Sequence, residues 1–208
     1  MWHREVLPEQ WTRAAADLAA RDVVEDCYLA GGTGLALYFG HRRSVDIDLF
    51  RETNFQSAAL RDRLAGLETL RNVELASGTV YLELHGVKVS ILRYPYPLLF
   101  PAATFDGFAV ADPRDIACMK LDTIGSRGAR RDFVDLHAAA QVYGLATILE
   151  WFETKYAAAP YNRAHLLKSL TYFVDAEQEP LPDMLIPLEW SAVTQYFIRE
   201  VPRLARLR

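Results

Sequence analysis

Cysteine is scarce in this 208-residue chain: Cys27 and Cys118 are the only two, far apart and in no Cys-x-x-Cys arrangement. Their spacing excludes a disulfide framework and a cysteine zinc site. Both stand among apolar neighbours, as buried structural thiols of a reduced compartment do. No apolar stretch approaches the roughly 20 residues that a membrane span needs. The opening MWHREVLPEQW also lacks the apolar segment of a secretion signal, so the expected location is the cytoplasm, with no membrane partner. Basic charge is not in excess either: 23 Lys and Arg against 27 Asp and Glu give a net charge of -4. That argues against broad nonspecific nucleic-acid binding and leaves room only for a local basic cleft.

What remains is ordinary globular material, 51% hydrophobic and 24% charged, with no internal repeat. This is too apolar for disorder. Residues 8–20 have helical spacing around Trp11, Ala15 and Leu18. An apolar run at 27–29 stops at Gly31-Gly32, and helix-compatible residues resume over 33–39. Residues 45–50 alternate Val45, Ile47 and Leu49 with Asp46, Asp48 and Phe50, the period of a strand. A helix is expected at 57–67, then a meander of strands at 72–76, 79–84 and 87–93, joined at Ser77-Gly78 and His85-Gly86. The proline-rich segment 94–101 should run over the surface, exposing Tyr94 and Tyr96. After Asp112-Pro113, a helix cap, helices are expected at 113–125, 129–142, 146–157, 162–174 and 189–206. The fold class is α+β: a mixed or antiparallel sheet with flanking helices over 1–110, then a helical half over 111–208 that completes a cleft.

The chemistry concentrates between Gly31 and Phe50. Asp46 and Asp48, two apart on a strand, project from one side with Cα atoms about 6 to 7 Å apart. That is close enough to share a hard cation such as magnesium, which also keeps phosphate oxygens in its sphere. Gly31-Gly32 forms a turn without side chains leading into a helix, where backbone N–H groups can approach an anion. Thr33 adds a hydroxyl. Downstream, Asp132 and Asp135 are three apart and share a helix face, and Lys120 on the preceding helix can reach the same cleft. The plainer alternative is that these three form interhelical ion pairs, worth about 0 to 1 kcal/mol each if exposed. Arg42 and Arg43 adjoin the carboxylate strand; Arg127, Arg130 and Arg131 are either phosphate contacts or solvated surface. His41 abuts the motif, and the other histidines have no ligand spacing.

In the order Gly-Gly-Thr, a dozen residues, Asp-x-Asp, the chain resembles the polymerase-beta-like nucleotidyltransferase superfamily. The longer string His41-Arg42-Arg43-Ser44 leading into Asp46-Ile47-Asp48-Leu49-Phe50 resembles the AbiEii/AbiGii toxin family. A second block, Lys120-Leu121-Asp122 and then Arg131-Asp132-Phe133-Val134-Asp135-Leu136, is similar to that family's downstream motifs. The likeness spans about 28–140.

The resemblance implies a nucleotidyltransferase-like fold and magnesium-dependent (alternatively manganese-dependent) transfer of a nucleotide from an NTP. Asp46 and Asp48 would hold the metal. Gly31, Gly32, Thr33, Arg43, Lys120 and Asp135 would bind the nucleotide, and Asp132 would take the proton of the acceptor hydroxyl. It also implies the toxin half of a toxin–antitoxin or phage-defence pair, with a cognate antitoxin and an acceptor that is an RNA such as tRNA, or a protein. One departure stands out: where many superfamily members place a third carboxylate, this chain has Ser90. Glu83 or Asp132 would have to substitute, and otherwise the protein would be a noncatalytic nucleotide-binding module.

Overall fold

In the computed structural model, which describes residues 1–206, the first half alternates helices and strands. These are α1 (Glu9–Ala20), β1 (Tyr28–Leu29), α2 (Gly31–Phe39), β2 (Ile47–Arg51) and α3 (Ser57–Leu64), followed by β3 (Leu70–Ala76), β4 (Thr79–Leu84), β5 (Val87–Arg93), β6 (Ala103–Phe105) and β7 (Phe108–Val110). The second half carries α4 (Pro113–Arg127), α5 (Arg130–Tyr143), α6 (Leu145–Lys155), α7 (Arg163–Ser169) and α8 (Trp190–Leu204). The architecture is α+β. The last two residues of the expected helical half, 207–208, lie outside the described residues. Among those described, no helix is long and apolar enough to cross a membrane.

The strands form one seven-stranded mixed sheet in the order β3-β4-β5-β2-β1-β7-β6. β2 is parallel to β5 and antiparallel to β1, and β1 is parallel to β7. His85 and Gly86 both have positive φ, 53° and 79°, the backbone of a tight hairpin matched to strand twist. Asp106-Gly107, at 47° and 84°, does the same between β6 and β7. The expected strands did not include 103–110, although Asp-Gly between apolar residues is the local signal for such a hairpin.

Strand alternation divides the sheet into two faces. Val80, Leu82 and Leu84 of β4 and Val87, Val89 and Ile91 of β5 are buried with Trp11, Ala14 and Leu18 of α1 and Leu60 and Leu64 of α3. The opposite face of the same strands carries Tyr81, Glu83, Lys88 and Ser90, which line an open cavity. A second core, built on Leu121, Phe133, Leu136, Phe152 and Phe197, holds the helical half together. A smaller cluster of Tyr28, Ala30, Leu35, Ile116 and Met119 seals the junction. Burial pushes the Cys27 thiol up to about 11 and the Cys118 thiol up to about 12.

Several local expectations need correction. Val45 precedes β2 and is 51% exposed. The helix expected over 162–174 stops at Ser169, where Thr171 and Tyr172 close tighter turns on Lys168 and Ser169 and Phe173 turns inward against Phe133. The 94–101 segment is not an exposed aromatic run. Its backbone is pinned by the buried Asp115 carboxylate, which accepts from Leu99 N at 3.0 Å and Phe100 N at 3.0 Å. Lys155 Nζ donates to Asp115 at 2.7 Å and to the Pro97 carbonyl at 2.7 Å. Tyr94 consequently packs on Phe50 and hydrogen-bonds Tyr156.

The loop before α8 is stitched to the segment between α2 and β2. Arg43 N donates to Asp183 O at 2.8 Å, while Leu185 N and Ile186 N donate to His41 O at 3.0 and 3.2 Å.

Candidate active site

The site begins with two glycines that no other residue can replace without displacing a charged group. Gly31 opens α2 with φ +61°, and a Cβ there would collide with the Asp48 carboxylate. A Cβ on Gly32 would collide with the Arg42 guanidinium. The helix N-terminus therefore lies directly against β2, with its first N–H groups lacking intrahelical partners. Thr33, by contrast, faces away from the cavity. It is fully buried; its hydroxyl donates to the Asp46 carbonyl at 2.5 Å and shares a hydrogen bond with Ser44 Oγ at 2.8 Å. Thr33 fixes the loop that delivers Asp46.

Asp46 and Asp48 emerge on the cavity face. Parallel pairing sets Ser90 beside Asp48. Desolvation pushes the Asp48 carboxyl above its ordinary range and Asp46 adds to the push; Lys120, the Ser90 hydroxyl and Arg131 offset only part of it. Two carboxylates held close in a partly dry site are a strained arrangement that a cation relieves.

On the facing wall, Lys120 of α4 has an Nζ 2.7 Å from Asp132 Oδ1 and 2.7 Å from Asp135 Oδ2. An ammonium has three donors, so one N–H remains for a ligand. Although desolvation works against its charge, Asp135 and Asp132 outweigh it and keep Lys120 protonated. Asp132 lines the cavity, and its Oδ2 is buried with no hydrogen-bond partner. Asp135 is fully buried. Besides Lys120, it accepts from Arg42 Nε at 2.7 Å, Arg42 Nη2 at 2.8 Å and His41 Nε2 at 2.8 Å. Desolvation opposes that charge, but Arg42 and Lys120 prevail and hold the carboxyl well below the usual carboxylate range.

One cavity of about 780 Å³ joins these groups, ample for a nucleotide. Gly31, Gly32, Arg43, Asp46, Asp48, Lys120 and Asp132 line it; Thr33 and Asp135, expected to touch the nucleotide, do not. Of the arginines after α4, Arg127 and Arg131 line it and Arg130 does not. His41, which abuts the motif in sequence, is buried against Asp135. Sequence reasoning missed Tyr81, Asn72 and Glu74 on the floor and Pro182 and Asp183 at the rim. Strand periodicity would have found the floor residues, whereas the rim depends on a distant loop.

A metal has to be judged on the donor set. Among the described residues, no group of three His, Cys, Asp or Glu side chains could hold an ion. Magnesium, however, commonly takes one or two carboxylates and completes its sphere with substrate phosphates and water. Asp46 and Asp48, with the space beside Asp48 kept open by the missing Cβ of Gly31, fit that pattern.

Comparison with known proteins bears on the family and the fold. The family model described as nucleotidyl transferase AbiEii toxin, type IV TA system, matches residues 13–97. An uncharacterized protein of Aquifex aeolicus is 34% identical over 201 residues, covering 94% of this chain and 96% of that protein. Among solved structures, MenT4, a nucleotidyltransferase toxin of Mycobacterium tuberculosis, superposes with a TM-score of 0.55 at 15% identity, covering 97% of this chain and 87% of that chain. JHP933 of Helicobacter pylori gives a TM-score of 0.53 at 19% identity, covering 96% of each chain. At these identities the two structures show a shared fold.

Proposed function

The chain belongs to the AbiEii family of nucleotidyl transferase toxins of type IV toxin–antitoxin systems, and we propose that its cavity transfers a nucleotide from an NTP to a hydroxyl of an RNA acceptor such as tRNA. The observation that carries this reading is the confluence in one cavity of the glycine-led helix N-terminus, Asp46 with Asp48, and the Lys120–Asp132 pair.

Magnesium, or manganese, held by Asp46 and Asp48 would screen the polyphosphate charge and activate the α-phosphate toward attack. The chain's own residues supply the rest. The N–H groups of Gly31 and Gly32 and the Arg43 and Arg131 guanidinia hold the polyphosphate, and the spare N–H of Lys120 faces charge developing on the leaving group. Asp132 Oδ2, unpartnered, accepts the proton of the acceptor hydroxyl. The acceptor oxygen bonds to the α-phosphorus, the bond to the bridging oxygen breaks, and pyrophosphate leaves. Asp135 and Thr33 act as positioning residues, and the helical half after residue 110 closes the cleft. A cognate antitoxin is the expected protein partner.

The test uses radiolabelled NTP, magnesium and a total RNA pool. Label should enter RNA with the wild type and fail to do so with Asp46→Asn or Asp48→Asn; transfer that survives both changes would sink the assignment. Ser90 favours a second reading, a nucleotide binder without turnover. That reading predicts thermal stabilisation by NTP and magnesium with no label transfer.

A further inference from the structure

We propose that the outer half of the cavity floor is a subsite for the 3′-terminal base of a single-stranded RNA acceptor, with Tyr81 as its stacking platform and Glu74 and Glu83 reading its amino group. The proposal rests on the transferase reading and deepens it by assigning the acceptor side.

The sheet sets the geometry. Register pairs Asp48 with Ser90, Ser90 with Tyr81, and Tyr81 with Glu74, so one row crosses β2, β5, β4 and β3. At the usual strand spacing, Tyr81 stands about 10 Å from Asp48, which leaves room for one ribose between a hydroxyl at the carboxylates and a base over Tyr81. The ring is 47% exposed although it lies within the cavity. An exposed aromatic on an open sheet face is how single-stranded bases are stacked. Phe50, Tyr94, Ile116 and Met119, which pack together where α4 meets the sheet, also line the cavity and suit the incoming nucleotide's base. That apolar group is chemically distinct from the Tyr81, Glu74 and Glu83 surface.

The charges identify the class of partner. The cavity's ion pairs engage Arg42, Arg43 and Lys120. Lys88, Arg127 and Arg131 also line it and, among the described residues, enter no ion pair. With Arg131 assigned to the polyphosphate and Lys88 standing opposite Glu83 across the β4–β5 ladder, Arg127 and Lys88 remain to meet the acceptor's phosphates, which fits a nucleic-acid backbone rather than a polypeptide. Glu83 is oriented by Asn72 Nδ2, which donates to Oε2 at 3.1 Å. Its other oxygen, and both of Glu74, can only accept. Such acceptors match the exocyclic amine of cytosine or adenine and repel the carbonyl that uracil presents there.

The experiment measures fluorescence anisotropy of short fluorescein-labelled oligoribonucleotides, ending in cytidine or in uridine, with the full chain and neither NTP nor metal. The cytidine-ended oligomer should bind more tightly. Tyr81→Ala should weaken it by about tenfold or more while Tyr81→Phe keeps binding near wild type. Glu74→Gln with Glu83→Gln should erase the base preference. The measurement uses neither NTP nor metal and reads no transfer, so a failed catalytic assignment leaves this result intact. The proposal is overturned by unchanged binding of Tyr81→Ala, by no binding of either oligomer, by equal binding of both, or by label transfer to a polypeptide instead of RNA. It also falls if Tyr81→Ala loses CTP affinity in parallel, because Tyr81 would then belong to the incoming nucleotide.

Discussion

Arg42 and Asp135 grip each other through two parallel hydrogen bonds, Nε to Oδ1 at 2.7 Å and Nη2 to Oδ2 at 2.8 Å, across 93 residues of chain. With His41 and Lys120 on the same carboxylate, this pair ties the first motif block to the second. Bidentate guanidinium–carboxylate pairing fixes orientation as well as charge, so the spacing between the β2 carboxylates and the Lys120–Asp132 wall is set by a buried carboxylate that does not line the cavity.

Removing that hub should be costly. Asp135→Asn leaves Arg42 and Lys120 buried with reduced compensation, and breaking a buried pair costs about 3 to 5 kcal/mol; urea unfolding should show a loss of that order. Because the folded carboxyl titrates well below its ordinary range, its contribution is complete above the unfolded value of about 3.9 and is lost as pH falls towards the folded one. Stability curves of wild type and variant should therefore converge only in strong acid. Parallel curves down to that range would show that Asp135 is not the hub.

Asp48→Asn should behave in the opposite way. The folded Asp48 carboxyl is raised by desolvation, so its ionised form weakens the ligand-free protein once pH exceeds the unfolded value. At pH about 7, the ligand-free variant should melt no lower than wild type yet gain nothing from NTP and magnesium. Calorimetry of both proteins with and without ligand checks the pair of outcomes.

At Gly31 the backbone and the site make the same demand. A left-handed alanine costs about 1 to 2 kcal/mol, and its methyl would displace the Asp48 carboxylate. Gly31→Ala should lower the melting temperature modestly and remove NTP-dependent stabilisation, whereas Gly66→Ala, with open space beside it but φ +86°, should show the backbone cost alone.

Ser90→Asp tests the missing carboxylate directly. A third acidic group paired beside Asp48 should lower the metal concentration giving half-maximal stabilisation and destabilise the metal-free protein through like-charge repulsion. Metal titration followed by thermal shift reads both; no change in either would mean that position 90 points away from the metal.

Much of this molecule is legible in local sequence because its signals are local. Asp112 accepts from Arg114 N ahead of Pro113, a cap readable from two residues. The alternation 45–50 correctly puts Asp46 and Asp48 on one face, although pairing begins only at Ile47. What stays hidden depends on distance in the chain. Nothing within a few residues of Asp135 says that Arg42 will occupy it, so a helix-face argument makes it a ligand contact when it is a buried anchor. Thr33 misleads in the same way, since its partner is a carbonyl 13 residues away. The Asp115–Lys155 pair, fully buried and 40 residues apart, likewise turns an apparently exposed tyrosine run inward, with Tyr94 on the cavity wall and Tyr96 packed on Tyr156.

The stitch between 183–186 and 41–43 bears on what a minimal fragment would contain. The stretch 13–97 that the family model matches holds both Asp46 and Asp48, but the backbone of Arg43 and His41 is fastened by a loop that arrives some 140 residues later. A fragment trimmed before that loop would keep every residue of the first motif and lose the frame that aims it. Chimeras between relatives should accordingly exchange the pre-α8 loop together with the turn after α2, as a single inheritance unit.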